Sequence, residues 1–439
     1  MSPRAFGMLC LIAVPVLRLP AQAQNVDALV ERLDKLERDN NSLRQEIEKL
    51  RAELGAVKQQ STVQAESQEI VSQRVEEQAQ TKVEASQRFP IKLRGMALMN
   101  FFSNGTHANG QDTPTTSSRN AGKSTSAVTF RQTVIGLEFR GPQTLFGAKV
   151  SGSVFGDFYE GNTETVQYPN ARLRTAEIQL DWRSRSLMIG QDKTLVGLRD
   201  PTSLAYSGVS PLTSAGNLWR WQPQIRFEQH VEVAPSTKLR GQFAFVQTAE
   251  ESGGNPGTLA LERRRPAVEG RIEIAHQFDA DRRLEIASAF HVSQTHVGGF
   301  SLPSRAWTVD WFANPFRYLE FSGAMFTGEN LHHFGALRQG WVITPQGANS
   351  VHSKGGWAQA SVPFTQRVSL NLMAGTMDDR NRDLLNTMIG SNRTGAANLM
   401  FRIAPNVLFS IEAMQIRTNY LTGGTTRNPR YDLSLAYQF

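Results

Sequence analysis

The chain has 439 residues, 40% of them hydrophobic and 20% charged, with a formal net charge of +7 and a mean hydropathy of −0.36. Past the N-terminus no run is apolar enough to cross a bilayer as a helix. A β-barrel would still fit, because alternate residues of its strands face the lumen and keep mean hydropathy low. Cys10 is the only cysteine and lies in the first apolar run, which excludes a disulfide, a thiol nucleophile or a cysteine metal site from the rest of the chain.

Residues 1–23 read as a secretory signal: Arg4, an apolar run from Ala5 to Leu17, and Ala21-Gln22-Ala23 as the cleavage site. Val26, Leu33, Asn40, Ile47 and Leu54 then fall seven apart, as do Leu29, Leu36, Leu43, Leu50 and Val57. These are the a and d positions of an α-helical coiled coil, expected over 24–58. Asn40 would fix register at some loss of stability, and the mixed a positions suit two or three strands alike. Residues 59–89 lose the heptad and read as a linker or frayed helix, ended by Pro90. Residues 26–88 carry 10 Lys+Arg against 13 Asp+Glu, and residues 89–439 carry 35 against 27. The basic excess therefore sits in the second part, where it sets a field for anionic solutes or lipopolysaccharide. With a secretory signal in front of it, it does not call for nucleic acid.

From 90 to 439 the pattern is that of an all-β transmembrane barrel of about 16 antiparallel strands. Short segments alternate apolar and polar residues, ending with Tyr431, Leu433, Leu435, Tyr437 and Phe439 against Asp432, Ser434, Ala436 and Gln438. Tight turns are expected at Gly141-Pro142-Gln143, Arg183-Ser184, Ala234-Pro235-Ser236, Asp279-Ala280-Asp281, Asn314-Pro315, Pro363-Phe364-Thr365 and Pro405-Asn406. Between them lie longer loops at 105–126, 160–169, 198–220, 250–265, 298–303, 329–354, 379–391 and 420–427. This alternation puts both barrel ends on the short-turn side. In 221–234, Ile225, Phe227, Val231 and Val233 oppose Arg226, Glu228, His230 and Glu232; in 266–279, Val268, Ile272, Ile274 and Phe278 oppose Glu269, Arg271, Glu273 and Gln277. A charge turned to lipid near the midplane costs about 2–4 kcal/mol, so the charged sets face the lumen. In 170–183 the outward set Ala176, Ile178, Leu180 and Trp182 carries Arg172 and Arg174 with it unless a bulge intervenes, so the two arginines either sit beyond the membrane or are re-aimed into the pore.

Candidate pore-lining residues follow from those faces: Lys149, Arg226, Arg240 and Arg271 on the wall, with Lys238 and Arg402 as further basic positions, and Arg199 and Arg220 in loop 198–220. Arginine suits carboxylate or phosphate because its planar fork makes two parallel hydrogen bonds. Glu228, Glu269 and Glu273 could equally pair with these cations across strands. The loop has apolar residues enough to pack, either inside the lumen or at the rim or a subunit contact. Nothing indicates an enzyme: His230 has acids beside it but no serine in a nucleophile context. His332-His333 is a poor metal spacing, and no cofactor motif occurs.

Arg172-Leu173-Arg174-Thr175-Ala176-Glu177, Gly190-Gln191-Asp192, Gly216-Asn217-Leu218-Trp219-Arg220 and Pro223-Gln224-Ile225-Arg226 resemble sequences of the DcaP-like outer-membrane porins. So does the whole order of signal, coiled coil, linker and barrel. The resemblance implies a passive channel favouring small anions such as dicarboxylates, and a homotrimer with its helices in the periplasm. Expected partners are then outer-membrane lipid and lipopolysaccharide, small anionic solutes, further copies of the chain and, within reach of the helix, peptidoglycan. A different class also fits: a structural envelope protein whose barrel only anchors a coiled-coil spacer.

Overall fold

The computed structural model describes residues 91–160, 170–247, 266–297, 299–337, 339–345 and 347–439, with Lys35, Glu48 and Lys49 as isolated helical positions. The expected signal (1–23), coiled coil (24–58) and linker (59–89) otherwise lie outside the described residues. In order, the strands are β1 (Ile91–Asn104), β2 (Thr125–Thr129), β3 (Val134–Leu145), β4 (Ala148–Glu160), β5 (Asn170–Asp181), β6 (Arg185–Lys193), β7 (Trp221–Ala234), β8 (Thr237–Val246), β9 (Ala267–Gln277) and β10 (Arg283–Val297). They continue with β11 (Phe300–Phe316), β12 (Leu319–Glu329), β13 (Trp341–Thr344), β14 (Gly347–Ser350), β15 (His352–Pro363), β16 (Val368–Asp379), β17 (Ile389–Ala404), β18 (Val407–Tyr420) and β19 (Gly424–Gln438).

β13 and β14 form a separate hairpin, and β2 and β3 share one place in the wall, each pairing with a different part of β1. The remaining wall is a cylinder of sixteen antiparallel strands. It closes where β19 lies beside β1, with Met96 opposite Gln438 and Asn104 opposite Arg430. Closure pairs every strand edge, the one arrangement that lets sheet backbone cross a bilayer.

The two faces separate as alternation requires. Ile272 is 61% and Ile274 52% exposed on the outer face of β9, whereas Glu269, Arg271 and Glu273 between them are buried. Ile225, Phe227, Val231 and Val233 likewise stand exposed on β7. β5 contains the bulge: Phe155 pairs with Thr175 but Gly156 with Leu173, so Arg174 has no partner of its own. Leu173 turns outward, half exposed, and Arg172 reaches the buried Asp157. The extra residue thus re-aims both arginines into the lumen.

Several turns fall elsewhere than expected. β3 runs through Gly141-Pro142-Gln143 with a register shift between Arg140 and Thr144. Its turn is Phe146-Gly147, both with positive φ (50° and 75°), the backbone of a tight hairpin. β11 likewise absorbs Asn314-Pro315 in a bulge and turns after Phe316. The loops expected at 298–303 and 420–427 are tight hairpins: Val297 pairs with Phe300 and Tyr420 with Gly424. Gly299 (φ 82°), Gly423 (φ 107°) and Gly424 (φ 77°) supply the left-handed backbone there.

Candidate solute path

The segment between β6 and β7 does not leave the barrel. It opens with a buried 3-10 turn, Leu195–Gly197, and buries Leu204, Tyr206, Leu212, Leu218 and Trp219. Backbone inside a lumen must find partners, and here amides of the wall supply them. Asn100 Nδ2 donates to Leu204 O (2.8 Å), Gln132 Nε2 to Ala205 O (2.8 Å), Asn398 Nδ2 to Thr202 O (2.8 Å) and Asn392 Nδ2 to Ser214 O (2.9 Å). In return Thr202 N donates to Gln359 Oε1 (2.7 Å) and Gly208 N to Gln132 Oε1 (2.8 Å). At Gly216, φ is +105° and a Cβ would stand 2.1 Å from Gly356 O, so only glycine allows this approach of loop to wall. Of the two placements left open by the sequence, the loop takes the lumen.

Opposite the loop, cations and aromatic rings alternate in a ladder. The Arg131 guanidinium lies 4.6 Å from the Tyr159 ring centre, Arg172 lies 5.1 Å from Tyr159 and 5.3 Å from Trp221, and Arg174 lies 4.6 Å from Trp221. Asp157, fully buried, holds Arg172 at 2.6 Å and faces Arg174 at 3.9 Å, one carboxylate under two guanidiniums. Arg131 is matched by Asp112 at 2.9 Å. Arg172 also donates to Gly208 O, tying the ladder to the loop. A cavity of about 540 Å³ lies between them, lined by Arg94, Glu138, Phe155, Arg174, Ser207 and Trp221. The bulge question pointed to Arg172 and Arg174. Arg131, Asp157, Tyr159 and Trp221 were missed, since no residue pattern reports which parts of separate hairpins meet across a lumen.

The other candidates lie as follows. Arg271 is buried between Asp310 and Glu273 (2.7 Å) beneath the loop. Arg199 bridges the loop to the wall through Asp310 (2.6 Å) and Glu285 (2.5 Å). Burial alone would lower its pKa, but those two carboxylates hold it above the ordinary value. Arg226 pairs with Asp192 at 2.8 Å and Arg240 with Glu273 at 2.7 Å. Lys149 is exposed opposite Asp181, beside the β3–β4 turn, and Arg220 is exposed where the loop joins β7. Lys238 and Arg402 are exposed near short turns.

Two further loops pack on the first. Tyr206 donates to Pro114 O (2.9 Å) in loop 105–124, and burial keeps its hydroxyl protonated by raising its pKa. From the other side Ser214 N donates to Gly335 O (2.7 Å) and Trp219 N to Phe334 O (2.8 Å). His332 and His333 begin the 3-10 turn His332–Phe334, and burial lowers the His333 pKa well below the usual value. Among the described residues no group of side chains is arranged to hold a metal ion.

No family model and no curated protein matches the sequence. Solved structures do match in backbone. The outer membrane channel DcaP of Acinetobacter baumannii aligns with 80% of this chain and 97% of its own at a TM-score of 0.66 and 13% identity. The anion-selective porin from Comamonas acidovorans aligns with 80% and 99% at 0.52 and 12%, and Pseudomonas putida OprB with 82% and 96% at 0.54 and 9%. At these identities the likeness is one of fold, and it is the likeness read from the sequence: the chain is built as a closed, sixteen-stranded antiparallel barrel with the backbone architecture of the DcaP channel.

Proposed function

We propose that this protein is an outer-membrane porin, a passive diffusion channel that favours small anionic solutes such as dicarboxylates. The ladder carries the reading. Arg172 and Arg174 share one buried carboxylate, which leaves positive charge where the lumen is narrowed by Ser207 and Gly208. Arg174 borders the cavity there and offers its fork to a solute carboxylate, while Arg94 on the same cavity is engaged by Glu138 at 3.5 Å. Arg220 on the long-loop side and Lys149 toward the short turns extend the basic track to both mouths, and Arg240, held by Glu273, borders it. Arg199, Arg226 and Arg271 position the loop and wall behind it. The anion selectivity of the Comamonas acidovorans porin is consistent with this assignment. Assembly as a trimer, with the 24–58 helices in the periplasm within reach of peptidoglycan, belongs to the same proposal.

Reversal potentials of purified protein in planar bilayers under a salt gradient test it. Anion preference is expected, weakened about fivefold by Arg174→Gln, the worth of one charge at close range in a wet site. Arg172 keeps Asp157 paired in that variant, so the fold is spared. Cation preference in the unaltered protein overturns the reading.

A second reading has an observation of its own. Three loops meet in the lumen at Tyr206, Ser214 and Trp219, and a barrel they closed off would serve as an anchor for a coiled-coil spacer. Single-channel recordings separate the two, because a closed barrel conducts nothing.

A further inference from the structure

The outer wall carries a basic cluster that the solute path does not use. Cross-strand register puts Arg393 opposite Arg417 and Arg417 opposite Arg427, one row across β17, β18 and β19. All three are exposed, while Asn392, Ile416 and Asn428 beside them are buried on the lumen side. By alternation Arg417 shares its face with Ile411 and Arg427 shares its face with Leu433 and Leu435, the residues presented to lipid.

Three like charges directly opposite one another on neighbouring strands destabilise a sheet unless an anion joins them. Among the described residues no carboxylate pairs with any of the three. The outward acid one pleat along, Asp378, faces Ser391 and is engaged by Lys354 at 3.7 Å. The row stands at the edge of the apolar band. On β18 the outward residues run Val407, Phe409, Ile411, Ala413, then Gln415 and Arg417. Arg417 is three residues from the strand end at Tyr420, about 10 Å along the strand. That end is on the long-loop side, which faces outward in barrels of this kind.

Beneath the row the wall is hollowed. Gly356, Ala358, Ala374 and Gly395 leave a groove of about 800 Å³, bounded by Trp311, Met325 and the arginines Arg393 and Arg417. Small residues in the middle of a lipid-facing surface make room for an apolar chain, and forks at its upper end suit a phosphate.

We propose that the Arg393, Arg417 and Arg427 row binds the phosphate of an anionic outer-leaflet lipid, with one of its acyl chains lying in the Gly356–Gly395 groove. The site is independent of the lumen, so a channel without it would still conduct.

Native mass spectrometry of the full-length protein in neutral detergent tests this with three probes: diphosphoryl lipid A, phosphatidylcholine and inorganic phosphate. Retention of lipid A over phosphatidylcholine is expected, falling about fivefold per arginine replaced in Arg417→Gln and in the triple variant R393Q/R417Q/R427Q. Equal retention by the triple variant and the parent overturns the proposal. So does displacement of the lipid by an equal amount of inorganic phosphate, which would mean an ion site without a lipid. A change of oligomeric mass in the triple variant also overturns it, by assigning the row to a contact between copies. If the triple variant fails to fold, Arg417→Gln against Arg417→Lys reads the same comparison at one position, with the lysine variant retaining more lipid.

Discussion

Replacing Gly216 by Ala should unseat the lumenal loop without touching the wall. The new Cβ would meet Gly356 O at 2.1 Å and Thr376 O at 2.7 Å, where real Cβ atoms stay beyond 3.0 Å. The backbone cannot rotate away, because φ at +105° is a conformation that L side chains rarely adopt. Holding a non-glycine residue in such a region costs on the order of 1–3 kcal/mol before the overlap is counted. Against this stand the contacts that seat the segment, among them Asn392 to Ser214 O and Trp219 N to Phe334 O. A penalty of about 2 kcal/mol raises the unseated fraction about thirtyfold. The assay is limited proteolysis of the folded protein in detergent, reading cleavage between 204 and 218, alongside single-channel current noise. Gly241→Ala is the control, since a Cβ there meets nothing within 4 Å. If Gly216→Ala is cleaved no faster than Gly241→Ala and its current is as quiet, the loop does not depend on this contact and the account of its seating is wrong.

Arg430→Met should lower the unfolding midpoint of the barrel sharply, read by heat-modified gel mobility. It strips Asp432 of its two-pronged partner (2.6 and 2.8 Å) in a fully buried setting, a loss of about 3–5 kcal/mol; an unchanged midpoint refutes this. Asn392→Leu leaves Thr115 O and Ser214 O without their donor, at about 1–3 kcal/mol for each carbonyl. Faster hydrogen exchange across 205–215 is the expected outcome, and parental protection there would count against the role given to the wall amides. Loop 331–337 should loosen in acid. Burial holds His333 well below the ordinary histidine pKa, with His332, His291 and Arg220 adding like charge. Above about pH 6.5 the docked and undocked loop are both neutral; as pH falls below that value only the undocked form takes up a proton, so docking weakens. Exchange protection compared at pH 7.5 and 5.0 should drop in the parent and stay level in His333→Phe.

The strands were legible wherever one face met lipid, because oil enforces a strict period of two. On β7 and β9 the alternation alone sorted Ile225 from Arg226 and Ile272 from Arg271. At β5 it gave a contradiction with two ways out, a position beyond the membrane or a bulge, and the register shows the bulge. Turns were read less well. Proline and glycine normally punctuate strands, yet Gly141-Pro142-Gln143 and Asn314-Pro315 were absorbed as irregularities, since neighbouring strands held the register on both sides. The hairpin at Phe146-Gly147 has an aromatic where asparagine is usual, so it gave no turn signal.

Charge was the least legible quantity, for a reason that bears on mechanism. Counting inward residues makes the β7–β11 wall and the loop before it look basic, with Arg226, Arg240 and Arg271 on the wall and Arg199 in the loop. Each of these cations has a carboxylate within 2.8 Å, and Asp310 and Glu273 each serve two of them. Such pairs hold the loop in place and present little net field to a solute. The proposed anion preference therefore rests where the balance is uneven, and in the ladder it is, with Asp157 buried beneath both Arg172 and Arg174. A buried carboxylate shared in this way orders the two forks while one unit of positive charge remains on the lumen side. The preference proposed for this barrel is therefore set less by how many arginines face inward than by which of them the acids leave unmatched, and that depends on contacts between strands far apart in the chain.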